Sequence, residues 1–150
     1  MPDFTYIGEV ALGVVLADPS GEITALQQAA RLYPPSLRDA LVAGLWEACF
    51  DIDIARKAVR RGDTAYVAGC LFRVVEVCAH ALHGHAGNWL INEKGAVAAA
   101  GRLPEAPANF AGRAQGVLAH LGATPAELSS AIALAADLLA DTTTACQPSR

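Results

Sequence analysis

The chain has 150 residues, of which 53% are hydrophobic, 17% charged and 6% aromatic. This is one domain's worth of chain, able to bury roughly two-thirds of its unfolded surface, and too apolar to stay disordered. Its 11 basic and 15 acidic residues give a net charge of −4, an acidic balance that argues against a general nucleic-acid binder while leaving room for a local basic patch; DNA is not an expected partner.

A mean hydropathy of +0.32 is high for a soluble monomer of this size, so part of the apolar surface is expected to be covered by a second chain or domain. The longest apolar stretch, residues 64–82, carries Arg73 and Glu76, which a lipid-facing span does not hold at low cost. Met1-Pro2-Asp3-Phe4 has no basic n-region, so no signal peptide is read there. Cys49, Cys70, Cys78 and Cys146 form no C-x-x-C pair. They read as reduced core residues of a cytoplasmic protein.

In chain order, residues 4–17 are the β-like stretch. Val10–Leu16 is a short apolar run with three valines, closed by the turn Asp18-Pro19-Ser20-Gly21, and it predicts a single strand. Such a strand must pair with a partner chain or with the rest of a sheet. Everything after it reads as helix. Asp18 or Ser20 can cap a helix over about 20–32, which Pro34-Pro35 ends. Pro35 then opens a long helix to about Arg61, roughly 39 Å in length. Its buried face is Leu37, Leu41, Leu45, Ala48, Ile52, Ala55 and Val59, spaced by threes and fours.

Gly62 as the C′ residue and Asp63 as N-cap return the chain antiparallel into a helix over about 64–84. Gly84 and Gly87 close it. Shorter helices are expected near 93–101, with Asn92 as cap, and near 107–121. Thr124-Pro125-Ala126-Glu127 is a capping box with proline at N1, opening a last helix to about 141. The expected architecture is all-α: an antiparallel bundle of four to six helices at 20–141, a strand and turn at 1–19, and a fraying polar tail at 142–150.

One stripe interrupts the apolar central helix. Arg73, Glu76, His80 and His83 follow steps of 3, 4 and 3 residues and therefore share a face. Three readings stay open: an Arg–Glu pair with histidines at the helix end, where cations suit the macrodipole; a ligand groove; or a metal site from Glu76, His80 and His83. The metal reading lacks a third ligand of suitable spacing. On the preceding helix Glu47 and Asp51 are i,i+4, and their mutual repulsion calls for a neighbouring cation, with Arg73 the candidate. Asp51-Ile52-Asp53 imitates a metal-binding D-x-D, but on a helix the two side chains diverge by about 200°. The loop Gly87–Val97, with Asn92, Glu93 and Lys94, serves either as a cap closing the bundle or as a ligand-contacting loop. Walker A, G-x-G-x-x-G, G-x-S-x-G, H-E-x-x-H and cysteine-pair zinc motifs are all missing from the sequence.

The segments Tyr33-Pro34-Pro35-Ser36-Leu37-Arg38, Trp46-Glu47, Asp53-Ile54-Ala55-Arg56-Lys57-Ala58, Arg61-Gly62-Asp63, Tyr66–Arg73 and Leu90-Ile91-Asn92-Glu93-Lys94-Gly95-Ala96 resemble the C-terminal helical domain of bacterial nucleotidyltransferase-fold proteins of the kanamycin nucleotidyltransferase type. The resemblance covers roughly residues 10–122. It implies a helical substrate-binding and dimerisation module, hence a homodimer, with Glu47 matching the family's general-base glutamate. The family's Gly-Ser turn and paired aspartates, which carry Mg²⁺ and the nucleoside triphosphate, lie in a preceding catalytic domain and have no counterpart in this sequence. The resemblance therefore implies a module that does not catalyse alone, either a stand-alone relic or a fragment of a nucleotidyltransferase whose partner is that catalytic domain.

Two other readings compete. HEPN-like ribonucleases carry an Arg, several residues, then a His on one helix, a spacing that Arg73 and His80 approach, with Arg stabilising the phosphorane and His as acid/base. A small-molecule enzyme using the Arg73–Glu76–His80–His83 groove is the third, with no substrate named by the sequence.

Overall fold

The computed structural model describes residues 4–147, which hold eight α-helices and one 3₁₀ turn and no strand: α1 Phe4–Leu12, α2 Glu22–Ala30, α3 Pro35–Ala43, α4 Leu45–Ala58, the 3₁₀ turn Val59–Arg61, α5 Thr64–His85, α6 Ala96–Ala100, α7 Phe110–Ala119 and α8 Pro125–Ala145. The all-helical bundle expected from the sequence is what forms. It has more helices than the four to six expected, because Gly44 divides the one expected over 35–61 and the N-terminal segment adds another.

The expected N-terminal strand is corrected. Residues 4–12 are helical and the valine run begins at the end of α1. Thr5, Gly8 and Ala11 are the buried residues of α1, a stripe of small side chains that lets the helix lie close to the 88–92 loop. A Cβ on Gly8 would sit 3.1 Å from Ile91 and 3.4 Å from Trp89. The carbonyls a helix leaves unpaired at its C-terminus find donors on α2 and at its C-cap. Gln27 donates to the carbonyls of Val10 and Gly13, and Arg31 Nε to that of Ala11. Those bonds offer the run an alternative to β-pairing. The N-cap residue of α2 is Gly21 and not Asp18 or Ser20, but the Asp18 carboxylate still serves the first turn, accepting from the backbone N–H of Ile23 and of Thr24 at 3.3 and 2.8 Å.

The single helix expected over 35–61 is two. Gly44, at φ −59° and ψ −14°, takes a tight 3₁₀-like bend, and Glu47 N–H donates back to the Gly44 carbonyl at 2.9 Å. Glycine at that point removes the helical propensity that would have carried the turn through. The predicted buried face survives the break, with Leu45, Ala48, Ile52 and Ala55 buried and Leu37, Leu41 and Val59 half-buried. Gly62, at φ 63°, and Asp63, which accepts from Tyr66 N–H at 3.2 Å, reverse the chain as expected. Gly62 is a position where the left-handed conformation requires glycine.

α5 is the centre of the bundle. It packs against α3, α4, α6, α7 and α8 and gives the core Val67, Leu71, Val74, Val75, Cys78, Ala79, Ala81 and Leu82. By length and composition it could also cross a membrane, but half of that apolar window is buried inside the bundle. Gly84 is where α5 and α3 come nearest: a Cβ there would lie 2.8 Å from Leu41 Cδ1 and 2.9 Å from Leu41 Cβ.

Three further expectations change. α6 is capped by Gly95 in the left-handed conformation, while Asn92 Oδ1 accepts from Lys94 N–H at 2.9 Å, closing a turn before the helix. The last helix runs past 141 to Ala145 with Thr142 and Cys146 buried; Thr142 Oγ1 satisfies itself on the Leu138 carbonyl. The remainder of the expected tail, 148–150, and residues 1–3 of the N-terminal segment lie outside the described residues. Cys70, Cys78 and Cys146 are core residues as read, but Cys49 is exposed. The capping box is present in both directions, Thr124 accepting from Glu127 N–H and Glu127 from Thr124 N–H.

Candidate functional site

The polar stripe of α5 does not line one groove. Arg73 leans toward α4, where its Nε donates to Asp51 Oδ2 at 3.1 Å and its terminal nitrogen to Glu47 Oε2 at 3.2 Å. This is the cation that the Glu47–Asp51 spacing called for, and it stands in place of the Arg73–Glu76 pair that the stripe also allowed. The two carboxylates differ in environment. Asp51 is 6% exposed, whereas the Glu47 side chain is 47% exposed. Asp51 therefore anchors the guanidinium from inside and Glu47 faces solvent beside it.

These three residues lie in a depression of about 610 Å³ between α4 and α5, whose other lining includes Trp46, Phe50, Ile54, Tyr66 and Cys70. Trp46, Phe50 and Tyr66 are 66%, 57% and 47% exposed. Three large aromatic side chains around one ion-paired floor form a surface on which a flat or ring-shaped ligand can stack while polar atoms meet Glu47. The aromatic rim is the part the sequence reading missed. Its signal was present: Trp46 and Phe50 are i,i+4 on α4, one step from the core face and directly beside Glu47 and Asp51.

Glu76, His80 and Glu93 face a different, smaller cavity of about 210 Å³ between α5, α6 and α7. The Glu76 carboxyl is held above its ordinary range, first by burial and then by Glu93, with Arg73 opposing. His80 is pushed down by burial and by His83, and Phe4 of α1 packs edge-on against its ring at 6.4 Å between centroids. His83 is buried, with Nε2 3.2 Å from the Ala96 carbonyl. A carbonyl only accepts, so Nε2 carries the proton of the neutral ring, and burial lowers the pKa of this histidine too. Nδ1 of His83 and Nε1 of Trp89 are buried with no hydrogen-bond partner among the described residues.

Arg73 and His80 thus line separate depressions on one helix. Asn92, Glu93 and Lys94 are in the loop before α6, and Glu93 lines the smaller cavity. Asp53 lies away from Asp51, exposed and paired with Arg56 at 2.9 Å, so the D-x-D residues diverge as the helical geometry requires. Among the described residues no group of three or more His, Cys, Asp and Glu side chains is placed to hold a metal ion. The pair does not fit a Mg²⁺ centre.

Fold and site together define a class: an all-helical bundle presenting an aromatic-rimmed, ion-paired depression between two of its long helices. Residues 3–94 match the family described as Domain of unknown function (DUF4037), and the chain belongs to that family. The matched stretch contains both walls of the Glu47–Asp51–Arg73 depression. No curated protein and no solved structure matches the chain.

Proposed function

We propose that this chain is the helical substrate-binding and dimerisation module of a nucleotidyltransferase-like protein, with the Gly-Ser and paired-aspartate catalytic machinery, its Mg²⁺ and its nucleoside triphosphate supplied by another domain. The observation that carries the reading is the α4–α5 depression, where Glu47 lies beside Trp46, Phe50 and Tyr66. A polyhydroxylated amine suits such a surface. Its ring faces stack on aromatic side chains, and an ammonium or hydroxyl hydrogen-bonds to Glu47.

In this reading Glu47 accepts a proton from the substrate hydroxyl or holds its ammonium. Arg73, fixed by Asp51, is a positioning residue that sets the direction of the Glu47 carboxylate. The resemblance of the 66–73 and 90–96 segments to the helical domain of kanamycin-type nucleotidyltransferases supports the assignment. Association has a surface available in the exposed Tyr6, Ile7, Leu12, Leu16, Ile23, Leu26 and Leu32 of α1, α2 and their flanks.

The test is titration of the purified chain with an aminoglycoside and separately with ATP, following Trp46 fluorescence against a Trp46→Phe control, together with sedimentation velocity. The expected result is saturable quenching by the aminoglycoside, at least about tenfold weaker in Glu47→Gln, and a dimer mass. A monomer whose Trp46 responds to neither ligand overturns the proposal.

A further inference from the structure

We propose that the cavity between α5, α6 and α7, open to solvent at Phe72, Glu93 and Gln115, binds a small primary amine with an apolar body, at a site separate from the α4–α5 depression. Its walls are apolar, formed by Phe72, Val75, Val97 and Leu118, while its polar groups Glu76, His80, Glu93 and Gln115 come from three different segments. At about 210 Å³ it has room for about seven water molecules, enough for a compact ligand and too little for a nucleotide or an oligosaccharide.

Charge fixes the chemical class. The ion pairs among the described residues are Arg56–Asp53, Arg73 with Glu47 and Asp51, and Arg113–Asp141. Glu76 and Glu93 belong to none of them. Glu76 is held back from ionising first by burial and then by the neighbouring Glu93, with Arg73 only opposing. An anionic ligand would add to that repulsion, whereas a cation offsets it. A metal ion is a poor match, since among the described residues no three ligating side chains converge. An ammonium fits better: it brings three donors and no acceptor. Glu76 and Glu93 supply two acceptors, and the Gln115 carbonyl oxygen or the acceptor nitrogen of neutral His80 supplies the third. The apolar body then replaces water against Val97 and Leu118. The inference does not depend on the reading given to the α4–α5 depression.

Phenethylamine is the probe, with 2-phenylethanol and phenylacetate as neutral and anionic counterparts of similar shape. In ¹H–¹⁵N correlation spectra of the full chain, the amine is expected to shift signals of Ala96–Ala98, Ala114 and Leu118 saturably, and the other two compounds are not. Glu76→Gln and Glu93→Gln are each expected to weaken the amine about tenfold, and Glu47→Gln to leave it unchanged. Equal binding of the alcohol, shifts centred on α4, unweakened binding in the Gln variants, or no saturation by about 10 mM would each overturn the proposal. The ligand series on the unaltered chain decides the matter even if a variant unfolds.

Discussion

Arg73 of α5 donates through Nε to the buried Asp51 of α4 at 3.1 Å and through a terminal nitrogen to the exposed Glu47 at 3.2 Å, so one guanidinium ties the two helices and is shared between a buried and an exposed carboxylate. The Glu47 half of that arrangement is water-exposed and contributes 0–1 kcal/mol at most by order of magnitude, about the value of a surface pair. The Asp51 half is different, because its removal leaves a carboxylate with little water around it. Arg73→Met is expected to destabilise the fold by about 1–2 kcal/mol, discounted for the exposure of the arginine. Asp51→Asn in the same background should recover part of that loss. Urea unfolding of the two single variants and the double variant measures it, and strictly additive losses would contradict the coupling.

The approach of α3 to α5 at Gly84 sets a second expectation. A methyl group there meets Leu41 at 2.8 and 2.9 Å, inside the distance at which side-chain carbons rest. Gly84→Ala is expected to cost about 1–3 kcal/mol despite alanine's better helix propensity, lowering Tm by several degrees, at about 2–4 °C per kcal/mol for a chain of this size. Gly69→Ala on the same helix, where a Cβ meets nothing within 4 Å, should hold or raise Tm.

His80 and His83 both have pKa values lowered by burial. The unfolded chain then binds more protons than the fold as pH drops through the ordinary histidine value near 6.5, so the contribution is fully present above that value and is lost as pH falls through the folded pKa values. Stability is expected to fall as pH drops below about 7. A His80→Gln, His83→Gln double variant should show a flatter profile in thermal unfolding over the same range. Ring-proton NMR titration should place both histidines below an unstructured peptide control.

Cysteine reactivity separates the surface thiol from the core. Burial pushes Cys78 up to about 12 and Cys146 up to about 11, and raises Cys70 with help from Asp51. Cys49 is exposed. One thiol per chain is expected to react quickly with a disulfide reagent under native conditions and three more only in denaturant, with Cys49→Ser removing the fast phase.

Much of the bundle was legible in the sequence because its punctuation is local. Gly62-Asp63 needs one positive-φ residue and one capping carboxylate, and Thr124 and Glu127 satisfy each other across one turn; neither depends on distant parts of the chain. The threefold and fourfold spacing of Leu45, Ala48, Ile52 and Ala55 likewise fixed the buried face of α4, and the like charges of Glu47 and Asp51 announced a cation that Arg73 supplies.

Tertiary structure decided the rest. The valine run after Val10 has strand propensity, yet the segment before it is helical, because the side chains of Gln27 on α2 and Arg31 at its C-cap satisfy the carbonyls at the end of α1, and small residues let that helix approach Trp89 and Ile91. The stripe Arg73–Glu76–His80–His83 was correct as a helical face. A helix surrounded by five others meets different neighbours along its length, so α4 claims Arg73, α6 and α7 frame Glu76 and His80, and the Ala96 carbonyl takes His83. Spacing along a helix determines which side chains share a face; the packing of neighbouring helices determines which of them share a site.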